Sequence, residues 1–449
     1  MPPPDPRKVF TLSSLLGKQS ELNKIGAEIL NGGPRAIRYR ETRPSGKTMV
    51  FVARHDDVVS VLMNEDDFSL LHYGPLYAAV APPGAFLVMR PEGPGRAERL
   101  AILRAAAART PWFGSDPARR RELARACVDN VLAAVRRRRR FDLIGEYGYF
   151  VPYLVGKRVI GLPGPQAFGV LPRLVCAVNA LPLGRAFTPE TGSQLTQLVW
   201  SEVVLAQLLA NFEDRNPLLR WAAAWGAMMM RALIERRIDA FPRAAGDDTL
   251  LSALWSVKDT DFPEVDNAVY REHVVSIMME LMATILLFPG MAFSGIVDRW
   301  AKPGGPGLED SLHRLKSMDA EDFAQEELRL APPSGHLLRN ATGPVELGGL
   351  ILKTGEYVCA LVSAAGRDIA VEPGAVRAGR SLNTYLHFGP ENGPHRCFAH
   401  RLAPAILAEM FLGIARLPEL ATRSGLFACM GLPPGRMMVD FGEPVGTAP

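Results

Sequence analysis

Apolar residues recur at three- and four-residue spacing through the middle of the chain, which is the pattern of amphipathic helices. Between about residues 95 and 297 the spacing is most regular in Leu123–Val135, Leu195–Leu209 and Trp221–Ile238. The segment Val274–Ile296 is apolar throughout except at Glu280, and it contains Pro289. A helix that is apolar on all sides is expected in a protein core, and a proline inside it removes one hydrogen bond and favours a kink. These segments predict a large helical body around one central helix.

Shorter runs predict strands and additional helices outside that body. The predicted strands are Ala36–Tyr39, Thr48–Val52, Val345–Leu347 and Tyr357–Leu361, and the predicted flanking helices are Leu15–Leu30, His55–Met63 and Arg401–Leu417. The charged run Arg136–Arg140 suits the solvated carboxyl end of a helix. We expect a mostly α protein with a smaller β-rich region (α+β). An extension over residues 1–37 is expected to precede one integrated domain over residues 38–449.

Composition and charge exclude several classes of protein. The chain has 449 residues, 48% of them hydrophobic and 22% charged, as in ordinary globular proteins. Its 51 basic and 47 acidic residues leave a formal charge of only +4, which argues against nucleic acid as the main partner. The sequence lacks an uncharged apolar run of about 20 residues and begins MPPPDPRKVF, which is unlike a signal peptide. We expect a monomeric cytoplasmic protein without a membrane span.

The segment HFGPENGPHRCFAHRLA, residues 387–403, holds the most informative of five scattered cysteines. Cys397 follows a Gly/Pro-rich loop and precedes a predicted helix, whose amino terminus would favour a thiolate. His395 and Arg396 add donors beside the sulfur, and Gly393 permits close approach of the backbone to a flat group. A thiolate with one open face can hold iron, whereas the alternative is a buried structural cysteine.

Two further motifs precede this loop. In EELRL, Glu326 and Arg329 lie three residues apart, on one face of a predicted helix. Arg380 lies between that helix and the loop, where its charge could complete a three-member network with them. Arg339 stands in HLLRN, where a strand is predicted to begin.

These motifs together resemble the cytochrome P-450 superfamily of haem-thiolate oxidoreductases, in its soluble bacterial type. The helix motif Glu-x-x-Arg of that superfamily is matched by Glu326 and Arg329. Its cysteine-loop motif, Phe-Gly-x-Gly-x-His-x-Cys-x-Gly, is matched by Phe388, Gly389, Gly393, His395 and Cys397. The resemblance covers about residues 38–445 and implies the cytochrome P-450 fold around a haem b, iron protoporphyrin IX.

The resemblance also implies a role for each matched residue. Cys397 would be the axial ligand of the iron. His395 and Arg339 would bind the haem propionates, together with either Arg96 or Arg99, between which the resemblance does not choose.

The resemblance assigns Glu326, Arg329 and Arg380 to a buried network that holds the cysteine loop. Two departures from the motif lie near this loop. Phe388 stands two residues further from Cys397 than in the superfamily motif, and Pro404 falls inside the expected final helix, where it could bend that helix.

The central helix departs more strongly. Monooxygenases of the superfamily carry an acid–alcohol pair there, at a place that falls near Leu287 and Phe288. The local sequence ATILLFPG offers only the hydroxyl of Thr284, and leucine or phenylalanine cannot relay protons. Proton supply would then come from a bound water, or from Thr284 if the register shifts by one turn.

Three functions remain open on the sequence alone. The first is a monooxygenase that takes electrons from a ferredoxin and its reductase and inserts one atom of dioxygen into a lipophilic small molecule. The second is a hydroperoxide isomerase or peroxygenase of a fatty-acid-like substrate. It is favoured by the missing pair and by a short likeness of Thr384–Gly389 to the hydroperoxide-isomerase half of linoleate diol synthases. The third is a haem-binding module that has lost catalysis.

Overall fold

The computed structural model describes most of the chain, in several stretches. These are residues 19–40, 48–70, 94–114, 116–136, 140–162, 194, 197, 217–240, 248–368, 385–417, 420–422, 427–428 and 434–440. Several of the sequence predictions concern residues outside these stretches. They include Arg380, Thr384 and the predicted helix Leu195–Leu209, of which only Gln197 is described, as helical.

Helices dominate the described residues. They are α1 (Gln19–Leu30), α2 (His55–Met63), α3 (Pro94–Ala108), α4 (Pro117–Arg136), α5 (Phe150–Val159), α6 (Pro217–Asp239), α7 (Leu250–Asp261), α8 (Asn267–Ala301), α9 (Leu308–Leu315), α10 (Ala320–Leu330), α11 (Val362–Asp368) and α12 (Leu402–Ala415). A π-helical turn, Leu143–Gly148, leads into α5. The predicted class, mostly α with a smaller β-rich region, is confirmed.

The strands are short and form small sheets. They are β1 (Ala36–Arg40), β2 (Thr48–Val52), β3 (Phe68–Ser69), β4 (Arg140–Asp142), β5 (Leu337–Ala341), β6 (Val345–Leu347), β7 (Leu350–Leu352), β8 (Tyr357–Ala360), β9 (Ala421–Thr422), β10 (Phe427–Ala428), β11 (Pro434–Arg436) and β12 (Met438–Asp440). The main sheet has the order β1-β2-β8-β5-β3. Within it β2 and β8 are parallel, with Val50 opposite Val358, whereas β5 runs antiparallel to β8.

Strand β2 is buried on both of its faces. Met49 and Phe51 share a hydrophobic cluster with Leu22 of α1, and Val52 shares another with Val58 of α2. Successive side chains of a strand point to opposite faces, so the apolar run TMVFV is the sequence of a strand covered on both sides. The predicted division between residues 37 and 38 falls inside β1, the edge strand beside β2.

Helix α8 runs through the core of the helical body. The side chain of Asp266 caps its amino terminus by accepting hydrogen bonds from the backbone N–H groups of Ala268 and Val269. Of the described helices, α8 is long and apolar enough to cross a membrane, but 78% of its most apolar window is buried inside the protein. The ring of Tyr149 lies so close that a Cβ at Gly290 would be 2.2 Å from it. The glycine therefore permits the close approach of the segment that leads into α5.

Two local predictions differ from the structure. Helix α4 ends at Arg136, and Arg140 belongs to β4, where it pairs with Asp440 of β12 at 2.8 Å. The charged run is therefore not one helix end, because its last residue joins a sheet. Pro404 lies in the first turn of α12, where a proline removes no helical hydrogen bond, so no bend is needed to accommodate it.

Candidate functional site: the Cys397 loop and the face of helix α8

The loop before α12 folds back so that Cys397 lies against its own beginning. The backbone N–H of Cys397 donates to the carbonyl of Phe388 at 2.7 Å. Gly389 adopts φ +80°, and the N–H of Gly393 closes a turn on the carbonyl of Pro390 at 2.9 Å. A positive φ suits glycine because it lacks a Cβ. The two residues by which this loop exceeds the superfamily motif are thus accommodated in turns, and the loop still closes on Cys397.

The environment of the Cys397 sulfur differs from the sequence expectation. Burial raises the pKa of the thiol to about 11, and the charge of Glu280 adds to the rise, whereas the backbone N–H of Ala399 and the charge of Arg396 oppose it. Helix α12 begins only at Leu402, so its amino terminus is too far away to lower the pKa. In the side chain by itself, this environment favours the protonated thiol over the predicted thiolate. Binding of a metal at the sulfur would release that proton.

Helix α10 holds a fully buried ion pair next to the loop. Arg329 donates from Nε and Nη2 to the two carboxylate oxygens of Glu326, at 3.2 and 3.0 Å, and both side chains are 0% exposed. Its Nη1 donates to the carbonyl of Gly366 at 2.8 Å. A buried pair with its hydrogen bonds satisfied fixes geometry, because removing either partner would leave an uncompensated charge.

The structure connects this ion pair to the loop through a residue that sequence reasoning missed. The hydroxyl of Tyr385 donates to Glu326 Oε1 at 3.0 Å, and burial together with the charge of Glu326 raises the pKa of Tyr385. His387 Nε2 lies 2.9 Å from Gln325 Oε1, and burial lowers the pKa of His387 to about 3. Arg380, the predicted third member, lies outside the described residues. The sequence offered no signal for Tyr385 other than its position before Phe388.

A second cluster of charges lies beside the loop. Arg96 Nη2 donates to the carbonyl of Pro394 at 2.9 Å and lies 2.9 Å from His395 Nδ1. Glu65 contacts both side chains, as an ion pair with Arg96 Nη1 at 3.8 Å and through His395 Nε2. Arg96 and His395 thus hold a carboxylate between them, the kind of group that the sequence resemblance expects them to bind.

Arg99 has different neighbours. Its Nε donates to His273 Nδ1 of α8 at 3.1 Å, and His273 Nε2 in turn lies 2.9 Å from a carboxylate oxygen of Glu98. Of the two arginines, the structure therefore brings Arg96 to the cysteine loop. Arg339 is buried in β5, where its Nη1 donates to the carbonyl of Leu338 at 2.8 Å.

One face of α8 differs from the rest of that buried helix. Leu281, Thr284 and Phe288 are partly exposed, whereas the residues between them are buried. Their spacing of three and four residues places them on one side of the helix. Leu287 is only 2% exposed and packs in the hydrophobic core, so it does not share this side with Phe288. The accessible hydroxyl of the face is that of Thr284.

Glu280 lies one turn before Thr284. In the sequence it is recognisable only as a charged residue within an apolar segment. It is 7% exposed, and its charge acts on the Cys397 sulfur, so the carboxylate lies in the same region as the thiol. The Thr284 hydroxyl donates to the carbonyl of Glu280 at 2.9 Å. Residues four apart share one side of a helix, which places an acid and an alcohol together there. Relative to the place near Leu287 and Phe288 that the resemblance assigns, Thr284 lies about one turn earlier and Glu280 about two turns earlier.

Comparison with known proteins gives a short sequence relative. No family model matches the chain. A 99-residue segment is 38% identical to 20-oxo-5-O-mycaminosyltylactone 23-monooxygenase of Streptomyces fradiae, and it covers 21% of this chain and 23% of that protein. The match thus spans less than a quarter of the relative.

Comparison of structures covers nearly the whole chain. CalO2 aligns with a TM-score of 0.69 at 20% identity over 97% of this chain and 99% of its own. P450BioI, in complex with an acyl carrier protein ligated to hexadec-9Z-enoic acid, aligns with a TM-score of 0.69 at 17% identity, over 95% and 100%. CYP109E1 of Bacillus megaterium, in complex with testosterone, gives 0.67 at 18% identity, over 96% and 100%.

The chain has the cytochrome P450 fold. In cytochromes P450 the haem iron is held by a cysteine thiolate. The side chains described above fit such a group. Cys397 is a soft ligand on a fixed loop, and the Arg96–His395 pair already holds a carboxylate. Among the described residues no three His, Cys, Asp or Glu side chains cluster to hold a bare metal ion, so Cys397 is not part of such a group.

Proposed function

We propose that this protein is a haem-thiolate monooxygenase of the cytochrome P450 type. It binds haem b through Cys397 and inserts one oxygen atom from dioxygen into a lipophilic small molecule. The observation that carries the proposal is the position of Cys397, on a loop closed by the Phe388 carbonyl and anchored to the buried Glu326–Arg329 pair, within this fold. We place the protein in the cytoplasm, since its one long apolar described helix is buried in its own core.

The side chains around the thiol would hold two parts of the haem, namely its iron and its carboxylate groups. Cys397 would supply the sulfur ligand of the iron, and Arg96, His395 and Arg339 would bind the carboxylates. Haem held by a thiolate supplies electron density that favours cleavage of the O–O bond. The protein itself fixes the sulfur, because Tyr385 and His387 attach the loop to α10.

The accessible face of α8, formed by Leu281, Thr284 and Phe288, is the side of the site on which we expect the substrate to bind. We assign proton supply to the Glu280 carboxyl group and the Thr284 hydroxyl group. Thr284 donates its own hydrogen to the Glu280 carbonyl, so the lone pairs of Oγ1 can accept a second hydrogen bond. Phe288, one turn further on, narrows this side and excludes water. Leu287 has no place in this step because it faces the core.

The apolar neighbours of this face favour a lipophilic substrate. Leu281 and Phe288 flank Thr284 on it, and pockets lined by such side chains bind largely apolar ligands. Among proteins of similar fold, one is in complex with testosterone and another with a carrier protein bearing hexadec-9Z-enoic acid. These two compounds are therefore suitable first probes.

The electron donor that we propose is an acidic ferredoxin with its reductase. Arg401 is exposed at the start of α12, and Arg396 is partly exposed beside Cys397. Cationic side chains next to the thiolate loop would steer an acidic protein to the shortest path to the iron.

The experiment is a parallel assay of purified haem-loaded protein. One sample receives ferredoxin, reductase and isotopically labelled dioxygen with testosterone or hexadec-9Z-enoic acid, and the other receives a lipid hydroperoxide without reductant. One labelled oxygen atom per product, formed only with reductant, is the expected result. Product from the hydroperoxide alone would overturn the proposal in favour of a hydroperoxide isomerase. A haem complex that turns over neither probe nor a wider lipophilic panel would favour a binding module.

A further inference from the structure

Three ionisable side chains from separate parts of the chain meet next to the cysteine loop. Glu65 follows the end of α2, Arg96 lies in the first turn of α3, and His395 is two residues before Cys397. Their side chains are only 18%, 10% and 10% exposed. These three side chains form a cluster, Glu65–Arg96–His395, that is largely withdrawn from water. The charges of Glu65 and Arg96 therefore attract each other strongly.

The hydrogen-bonding chemistry of the cluster fixes the state of His395. A guanidinium group is only a donor, so the His395 Nδ1 that lies 2.9 Å from Arg96 Nη2 must accept. The proton of the neutral ring is then on Nε2, which is the atom that faces the Glu65 carboxylate. His395 thus directs its single N–H toward Glu65.

A carboxylate from elsewhere can gain the His395 donor only by displacing or sharing Glu65. Both terminal nitrogens of Arg96 are also occupied. Nη2 donates to the Pro394 carbonyl and to His395, and Nη1 pairs with Glu65. Glu65 also places a negative charge where a second carboxylate would arrive, and like charges repel.

We propose that Glu65 is an internal ligand of the Arg96–His395 pair that competes with the haem carboxylates and so limits how firmly the protein retains haem. This inference rests on the proposed function, because it takes haem as the cofactor. It predicts that removing the charge of Glu65 strengthens haem retention, although the substitution removes the ion pair with Arg96 and weakens the hydrogen bond from His395.

The test measures the rate at which haem passes from the loaded protein to excess apomyoglobin. Glu65→Gln keeps the size of the side chain, and Asp66→Asn is the matched control, because Asp66 is the exposed neighbour and its substitution changes the net charge equally. We expect Glu65→Gln to lose haem about tenfold more slowly, a change of about 1.4 kcal/mol, and Asp66→Asn to match the wild type.

Thermal unfolding of both forms separates competition from simple support of the fold. Without haem, Glu65→Gln should melt at a lower temperature than the wild type, since the ion pair with Arg96 is lost. With haem, the order should reverse. Equal or faster haem loss by Glu65→Gln would overturn the inference, as would an equal slowing by Asp66→Asn. A wild type that takes up haem without thiolate ligation would instead overturn the proposed function, and the inference with it.

Discussion

Cys397 is a soft metal ligand, but its thiol ionises less readily than an exposed cysteine. Burial raises the pKa of its thiol to about 11, and Glu280 opposes the thiolate further. A soft metal at the sulfur reverses this balance, because it replaces the proton.

Cys397→Ser should abolish the carbon monoxide difference spectrum that is characteristic of thiolate-ligated haem, because a serine hydroxyl does not replace the sulfur. The measurement is the spectrum of the reduced, haem-loaded protein. Cys127→Ala is the control, as Cys127 is a buried free cysteine of α4. Persistence of the thiolate spectrum in Cys397→Ser would show that the ligand is another residue.

Glu280→Gln should lower the rate of oxygen insertion by roughly 100-fold, because an amide cannot give up and regain a proton as a carboxyl group does. Consumption of reductant should continue, so the yield of product per electron falls. Glu272→Gln is the matched control, since Glu272 lies on the same helix, is half exposed and pairs with Arg231. An unchanged yield in Glu280→Gln would remove this residue from the proton path.

At the scale of single elements, α10 and the cysteine loop behave as one unit. Adjacent residues of α10, Gln325 and Glu326, contact His387 and Tyr385, so the loop is attached at two points. Resemblance in sequence located Glu326 and Arg329, because they form a recognisable motif. It could not locate Tyr385, because a tyrosine becomes an anchor only when the fold brings an acceptor to its hydroxyl.

Tyr385→Phe should lower the free energy of unfolding by about 1 kcal/mol, the usual net value of such a hydrogen bond. It should also raise the fraction of haem-loaded protein whose carbon monoxide complex lacks the thiolate signature. Tyr357→Phe in β8 serves as the control. If Tyr385→Phe changes stability without changing that fraction, Tyr385 supports the fold but does not position Cys397.

Two glycines of α8 provide a matched pair for the packing of that helix. A Cβ at Gly290 would meet the ring of Tyr149 at 2.2 Å, whereas at Gly295 it would meet nothing within 4 Å. Gly290→Ala should destabilise the protein by about 1–3 kcal/mol through overpacking. Gly295→Ala should stabilise it by up to about 1 kcal/mol through helix propensity. Chemical denaturation measures both, and equal effects would contradict the close approach of Tyr149.

Helix α8 also shows the limit of reading a periodic sequence. Its core position follows from its apolar residues and is confirmed, whereas the helix extends over Asn267–Ala301, beyond both ends of the predicted Val274–Ile296. The sequence does not indicate which side of α8 faces the Cys397 thiol. A helix that is apolar on all sides gives no pattern from which its rotation about its axis can be predicted. The sequence prediction therefore placed the acid–alcohol position near Leu287, which packs in the core, and passed over Glu280.

For the whole molecule, two partly buried histidines, His336 and His387, are expected to make the free energy of unfolding depend on pH. Burial lowers the pKa of His336 to about 4 and that of His387 to about 3, from an ordinary value of 6.5. Because the unfolded chain binds these protons first, stability is complete above pH 6.5 and falls as the pH drops toward the folded values. Each histidine should cost about 2 kcal/mol of unfolding free energy between pH 7 and pH 5.

The check is urea denaturation at those two pH values for the wild type and for His336→Asn. The variant lacks one of the two groups, so its loss of stability on acidification should be smaller by about half of the two-histidine contribution. An equal loss in both proteins would indicate that other groups, rather than His336, control acid unfolding.

The parallel pairing of β2 with β8 has a consequence for synthesis on the ribosome. Thr48–Val52 emerges before its partner Tyr357–Ala360, which lies about 300 residues later in the chain. Until then β2, which is buried on both faces in the folded protein, lacks its parallel neighbour β8 and part of the residues that cover it. Nascent chains in this state are prone to misassociate. Chaperone supply during translation, rather than the strength of the finished core, is therefore expected to govern the yield of folded protein.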